Sequence, residues 1–113
     1  MSNKAKAYLR DIVQSIEEIF DFIGPERNFL RYQMDQRTKK AVERNLKITG
    51  EAENRLAKES PEIPITNARL IVGTRNRIIH SYDPISDEII WTIVCRASPI
   101  LKREVDTLLS SVD

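Results

Sequence analysis

Apolar residues recur at helical spacing through four stretches of the chain, separated by short breaks rich in proline, glycine or polar residues. Over residues 3–23, Tyr8, Ile12, Ile16, Ile19, Phe20 and Ile23 form one stripe, and "GPE" at 24–26 ends it. The second stretch, 30–58, has Val42, Leu46, Ala52 and Leu56 as its inner face, with Ala41 and Ile48 widening the stripe to one side. Its amino-terminal third, "RYQMDQRTKK", is polar enough that it is expected to fray or to bear on a partner. "KESPEIP" breaks the pattern again, and Pro64 suits the first turn of a third helix, 64–83, carrying Ile65, Ala68, Ile71, Val72, Ile78 and Ile79. Pro84 disfavours helical geometry at Asp83 and stops it there. A fourth helix, 86–110, starts where Ser86 and Asp87 can cap exposed amides, and runs through Ile89, Ile90, Ile93, Val94, Leu101, Val105, Leu108 and Leu109. Pro99 lacks an amide donor and should kink or interrupt it. Four amphipathic helices with short connections predict an all-α, antiparallel four-helix bundle.

The bulk properties fit that picture. A chain of 113 residues suits a single domain over 1–113 with one core. Its residues are 41% hydrophobic and 31% charged, and three glycines are too few for a turn-rich β-sandwich. The net charge of +1 gives no general attraction to nucleic acid, so any RNA contact must come from local clustering of arginines. Cys95, the single cysteine, cannot form an internal disulfide, and its setting in "WTIVCRA" predicts a buried free thiol in a reducing compartment. The amino terminus lacks the apolar run of a signal peptide and no stretch is long enough to span a membrane, so a cytoplasmic protein is expected. One histidine and one cysteine are too few for a protein-only zinc site, and no glycine-rich phosphate loop or carboxylate cluster is present; no cofactor is expected.

The single histidine lies in "RNRIIHSYD", residues 75–83. On a helix, Arg75, Ile79 and Tyr82 form one row and Asn76, His80 and Asp83 the next, so the polar groups gather in the last two turns before a proline. The negative carboxyl end of a helix favours protonated histidine by a few tenths to about 1 kcal/mol, which keeps the ring titratable near neutrality. The residues equally fit a surface histidine that caps free carbonyls beside solvated arginines. Spacing does not choose between the two.

Taken together, Arg75-x-x-x-x-His80-x-Tyr82, with Asn76 after the arginine, resembles the signature of the HepT-like form of the HEPN superfamily. "ERNLKITGEAENRLAKES" (43–60) resembles the family's second-helix pattern, and "YDPISDEIIWTIV" (82–94) with "PILKREV" (99–105) its fourth-helix region. The resemblance covers nearly the whole chain. It implies a metal-independent endoribonuclease, the toxin of a toxin–antitoxin pair, with RNA as substrate. It also implies a homodimer with the two motifs facing across a cleft, and an MNT-type nucleotidyltransferase antitoxin that transfers AMP onto the motif tyrosine. Carried over here, Arg75 and His80 are catalytic, Asn76 supports them and Tyr82 accepts AMP. The alternative is a non-catalytic helical module that binds a nucleotidyltransferase.

Further residues are candidates beside that motif. Arg44 and Glu51, seven apart, share a helix face and are expected to line the same cleft, with Asn45 and Arg77 as further cleft-lining residues; a structural ion pair or polar interface contact fits as well. Gly50 is expected to permit close helix packing. Arg69, Arg75 and Arg77 make the third helix locally basic. "QRTKKAVER" is expected to be a solvated face, and Trp91 an anchor of the core or the dimer interface.

Overall fold

The structure, a computed structural model, describes residues 1–65 and 86–111. The first helix, α1 (Asn3–Ile23), begins where the Ser2 hydroxyl accepts the Ala5 amide at 3.0 Å. It buries Ala5, Leu9, Ile12, Ser15, Ile16 and Ile19 along one side. Gly24 stops it with φ of 75°, a left-handed geometry that disfavours other residues, and its amide returns to the Phe20 carbonyl at 3.0 Å. Arg27, also at positive φ, donates to the Gly24 carbonyl and lays its guanidinium 4.8 Å from the centre of the Phe20 ring.

The second predicted stretch is two helices rather than one. Helix α2 (Phe29–Met34) is capped by Asn28, and α3 (Gln36–Glu59) by Asp35. The Asp35 carboxylate accepts the Thr38 amide at 3.1 Å and the Thr38 hydroxyl at 2.7 Å, a local bond network that competes with continuous helix. The polar start of this stretch is thus anchored by its cap and by buried Tyr32 and Thr38. Along α3, Val42, Leu46, Ala52 and Leu56 are buried as the pattern predicts, and so is Gly50; Ala41 is half-buried and Ile48 exposed.

Helix α3 lies along α1 in the most extensive packing between described elements. Each fully buried isoleucine or leucine there contributes roughly 1.5–3 kcal/mol. Across the seam the Ser15 and Thr49 hydroxyls meet at 2.7 Å, while Ser15 also reaches the Ile12 carbonyl and Thr49 the Asn45 carbonyl.

Beyond Ser60, Pro64 and Ile65 are not helical, and the rest of the third predicted helix lies outside the described residues. Helix α4 (Asp87–Thr92) opens on Ser86, whose hydroxyl accepts the Ile89 amide at 3.2 Å. A π-helical turn, Ile93–Ala97, follows, and then α5, Ser98–Ser110. The turn answers the problem set by Pro99, whose ring would strike the carbonyl four residues back in an α-helix and which donates no amide. The Ser98 amide instead bonds Ile93, five residues back, so the helix widens ahead of the proline and carries on.

Ile90, Ile93, Val94, Ala97, Leu101 and Val105 line the inner side of this segment. Trp91 anchors α4 to α2, with ring centres 5.0 Å from Tyr32 and 5.8 Å from Phe29. An ion pair of 3.0 Å between Lys39 and Asp87 joins the starts of α3 and α4. Cys95 is a free thiol, but half-buried where full burial was expected, because it sits in the widened turn beside the inner face. The chain is an all-α bundle, with no strand among the described residues, and none of their helices is long and apolar enough to cross a membrane.

Candidate functional site

Of the residues singled out in the sequence, Arg75, Asn76, Arg77, His80 and Tyr82 lie outside the described residues. Arg44, Asn45 and Glu51 are described, all on α3. Arg44 is exposed and Glu51 half-buried on the same side of the helix. The Glu51 carboxylate accepts a bond from the Arg55 side chain at 2.9 Å and lines a shallow trough of about 380 Å³ with Tyr8, Lys47, Ile48 and Arg55.

Asn45 takes a different direction, about 100° around the helix from Arg44. It is buried, donates its amide to the Ala41 carbonyl at 2.9 Å, and leaves its side-chain oxygen without a partner among the described residues. It borders a smaller hollow between α1 and α3 with Asp11, Gln14, Ser15 and Ile48. The structure therefore brings Glu51 and Arg44 to one face and turns Asn45 toward the α1 seam.

Glu53 escaped the sequence reading. It is 3% exposed, and neither carboxylate oxygen has a hydrogen-bond partner among the described residues. Burial, with the nearby Glu104 charge adding to it, pushes its pKa up to about 8. The signal was present, because Glu53 stands seven residues after Leu46 and three before Leu56, at the centre of the apolar stripe. Tyr32 is a second buried group with an unpartnered hydroxyl; burial first, then the Asp87 and Glu43 charges, raise its pKa.

Comparison with known proteins adds what the geometry of these residues leaves open. Residues 9–108 match the family described as Ribonuclease HepT-like. The chain belongs to the HepT-like family. Similar proteins include "Putative RNase MJ0127" of Methanocaldococcus jannaschii, 33% identical across 96% of this chain and 89% of that protein. "Probable ribonuclease HepT" of Thermococcus cleftensis is also 33% identical, across 96% of this chain and 98% of its own length. "Putative RNase TTE0752" of Caldanaerobacter subterraneus is 30% identical over 92% and 93%. No solved structure matches the chain. The match spans the stretch from Arg44 to Tyr82, and membership gives the chain a ribonuclease function.

Proposed function

We propose that this HepT-like chain is a metal-independent endoribonuclease toxin that acts as a homodimer. The observation carrying this reading is the sequence Arg75-x-x-x-x-His80-x-Tyr82 inside the stretch that matches the ribonuclease family. RNA cleavage by its own 2′-hydroxyl needs a base to take that hydroxyl's proton and an acid to protonate the departing 5′-oxygen. One histidine per chain cannot fill both roles at once. Two chains related by a twofold axis supply two His80 rings to one cleft, and two Arg75 guanidiniums to stabilise the charge on the phosphorane. The 2′-oxygen attacks phosphorus, the bond to the 5′-oxygen breaks, and a 2′,3′-cyclic phosphate and a free 5′-hydroxyl result.

In this scheme Asn76, one turn before His80, orients the ring, while Arg44, Glu51 and Arg77 border the cleft and Asn45, turned to the α1 seam, does not. Tyr82 accepts AMP from an MNT-type nucleotidyltransferase antitoxin, its phenolic oxygen attacking the α-phosphorus of ATP with release of pyrophosphate. The added bulk and negative charge beside arginines then exclude RNA. A cytoplasmic setting accords with the free Cys95 thiol.

The test is cleavage of defined RNAs by purified protein in the presence of a chelator, with the new ends mapped. Wild type is expected to leave cyclic phosphates, and His80→Ala and Arg75→Ala to lose about 10²–10⁴-fold in rate. Cleavage by His80→Ala at the wild-type rate overturns the assignment. A wild type that binds the transferase but cuts nothing supports the interaction-module reading instead. In the same preparation, incubation with the transferase and ATP should place AMP on Tyr82 by mass spectrometry.

A further inference from the structure

Helix α3 turns a cationic edge to solvent along nearly its whole length. Arg37, Lys40, Arg44, Lys47, Arg55 and Lys58 recur at steps of three or four residues, with Glu51 the one other residue in the series. At ~100° per residue the series falls within an arc of ~80°, and at ~1.5 Å per residue it runs ~32 Å. Lys47 is half-buried and the other five cations are exposed, while Val42, Leu46 and Glu53 occupy the opposite, buried side. The whole chain carries a net charge of only +1, so this edge is charge segregation rather than general basicity.

Three observations separate the edge from an ordinary solvated face, which is what the sequence suggested for 36–44. First, ion pairing does not neutralise it: of its six cations only Arg55 is in an ion pair among the described residues, with Glu51. Second, at the amino end of α3 the Asp35 carboxylate caps the positive pole and Asp87 matches Lys39, but Arg37 and Lys40 in the first turn have no carboxylate of their own among the described residues. Third, the edge adjoins the trough lined by Tyr8, Asp11, Lys47, Ile48, Glu51 and Arg55. An aromatic ring with cations beside it suits a nucleobase and its phosphate, and Lys47 is the cation of the trough that no carboxylate pairs among the described residues.

We infer that the exposed edge of α3 from Arg37 to Lys58 is a docking track for the backbone of single-stranded RNA, with the trough at Tyr8 receiving a base. This rests on the ribonuclease reading and adds to it a substrate surface on α3. Cations at intervals of ~4.5–6 Å along the helix, with one gap of ~12 Å across Glu51, neutralise phosphates along a strand, and the affinity they provide depends on salt rather than on sequence.

The test uses oligouridine as probe and follows binding by fluorescence anisotropy over a range of salt. The triple variant Arg37→Gln/Lys40→Gln/Lys47→Gln is compared with Lys4→Gln/Arg10→Gln/Arg103→Gln, which removes the same charge from α1 and α5. The track variant is expected to lower the slope of log affinity against log salt by ~2, at ~0.7 per lost phosphate contact, with a melting temperature unchanged or raised. The control variant should leave the slope as in wild type. Tyr8→Leu should weaken binding at least ~5-fold with the slope retained.

An unchanged slope in the track variant, an equal loss in the control, or no binding by wild type each overturns the inference; unchanged affinity in Tyr8→Leu overturns its base-binding part. Cleavage followed in the same samples keeps the two proposals apart. RNA that binds through the track but is never cut removes the ribonuclease reading and leaves the track. RNA that is cut, with a slope the track variant does not alter, does the reverse.

Discussion

At the scale of single residues the core of this protein is less apolar than its helical stripes suggest. Ser15 and Thr49 have two hydroxyl protons for three short contacts: to each other, to Ile12 and to Asn45. Ser15→Ala and Thr49→Val should each lower unfolding free energy by about 1 kcal/mol in urea titrations, and the double variant by less than the sum, since removing both partners strands neither. Glu53 is the costlier intrusion. Its folded pKa of about 8 stands above the 4.5 of an ordinary glutamate, so the folded chain holds an extra proton between those values and stability falls as pH rises through them. Glu53→Gln should change little near pH 4 and gain a few kcal/mol at about pH 8, at roughly 1.4 kcal/mol per tenfold in proton affinity. Thermal melts at the two pH values check it; an equal gain at both would remove burial of the charge as the cause. The periodic pattern hid Glu53 because apolar residues alone define the stripe, although its register with Leu46 and Leu56 was there to be read.

At the scale of elements, periodicity located the helices and side-chain chemistry set their ends. Ile12, Ile16 and Ile19 of the α1 stripe and the inner face of α3 are buried as read, Tyr8, Phe20 and Ile23 are half-buried, and Ser86 caps α4 as expected. Asp35 was read as one more polar residue in a long helix, yet it divides that helix, since a side chain that bonds its own backbone three residues on is invisible to an apolar period. Bonds from the Thr38 hydroxyl and then the Thr38 amide hold its pKa below the usual carboxylate range. The stability it confers is therefore present above that range and is lost as pH falls through the lowered value. Asp35→Ala should lower the melting temperature at neutral pH, and the deficit should shrink near pH 3; a deficit independent of pH would show that the ionised cap is not its source. Pro99 was legible as a disturbance, but its resolution into a π turn was not, because that depends on how neighbouring helices hold the segment straight.

At the scale of the whole molecule, function was legible through a family signature rather than through physical pattern. Nothing in the spacing of Arg75, His80 and Tyr82 distinguishes a site from a solvated helix end, whereas the match over 9–108 assigns the chain to a ribonuclease family. The cationic edge of α3 shows the opposite case: its residues were in plain view, but its meaning needed the buried face opposite it and the trough beside it. If the working unit is the proposed homodimer, specific activity should fall on dilution in parallel with the dimer fraction measured by sedimentation. Activity that stays proportional to concentration after full dissociation would locate the whole site in one chain.

The π turn has a consequence at this scale as well. A ring closed over five residues rather than four contains one residue more than α-helical winding requires. The widened turn takes up that surplus, so the halves of the segment, with Trp91 against the α2 aromatics on one side and Leu101 and Val105 in the core on the other, keep the phase of a plain α-helix one residue shorter. Deleting one position in 93–97 would leave both halves facing as they do, with the Pro99 ring now against the carbonyl four residues back, whereas inserting one would rotate one half by about 100° against the other. This short stretch accordingly accepts the loss of a residue more readily than the gain of one.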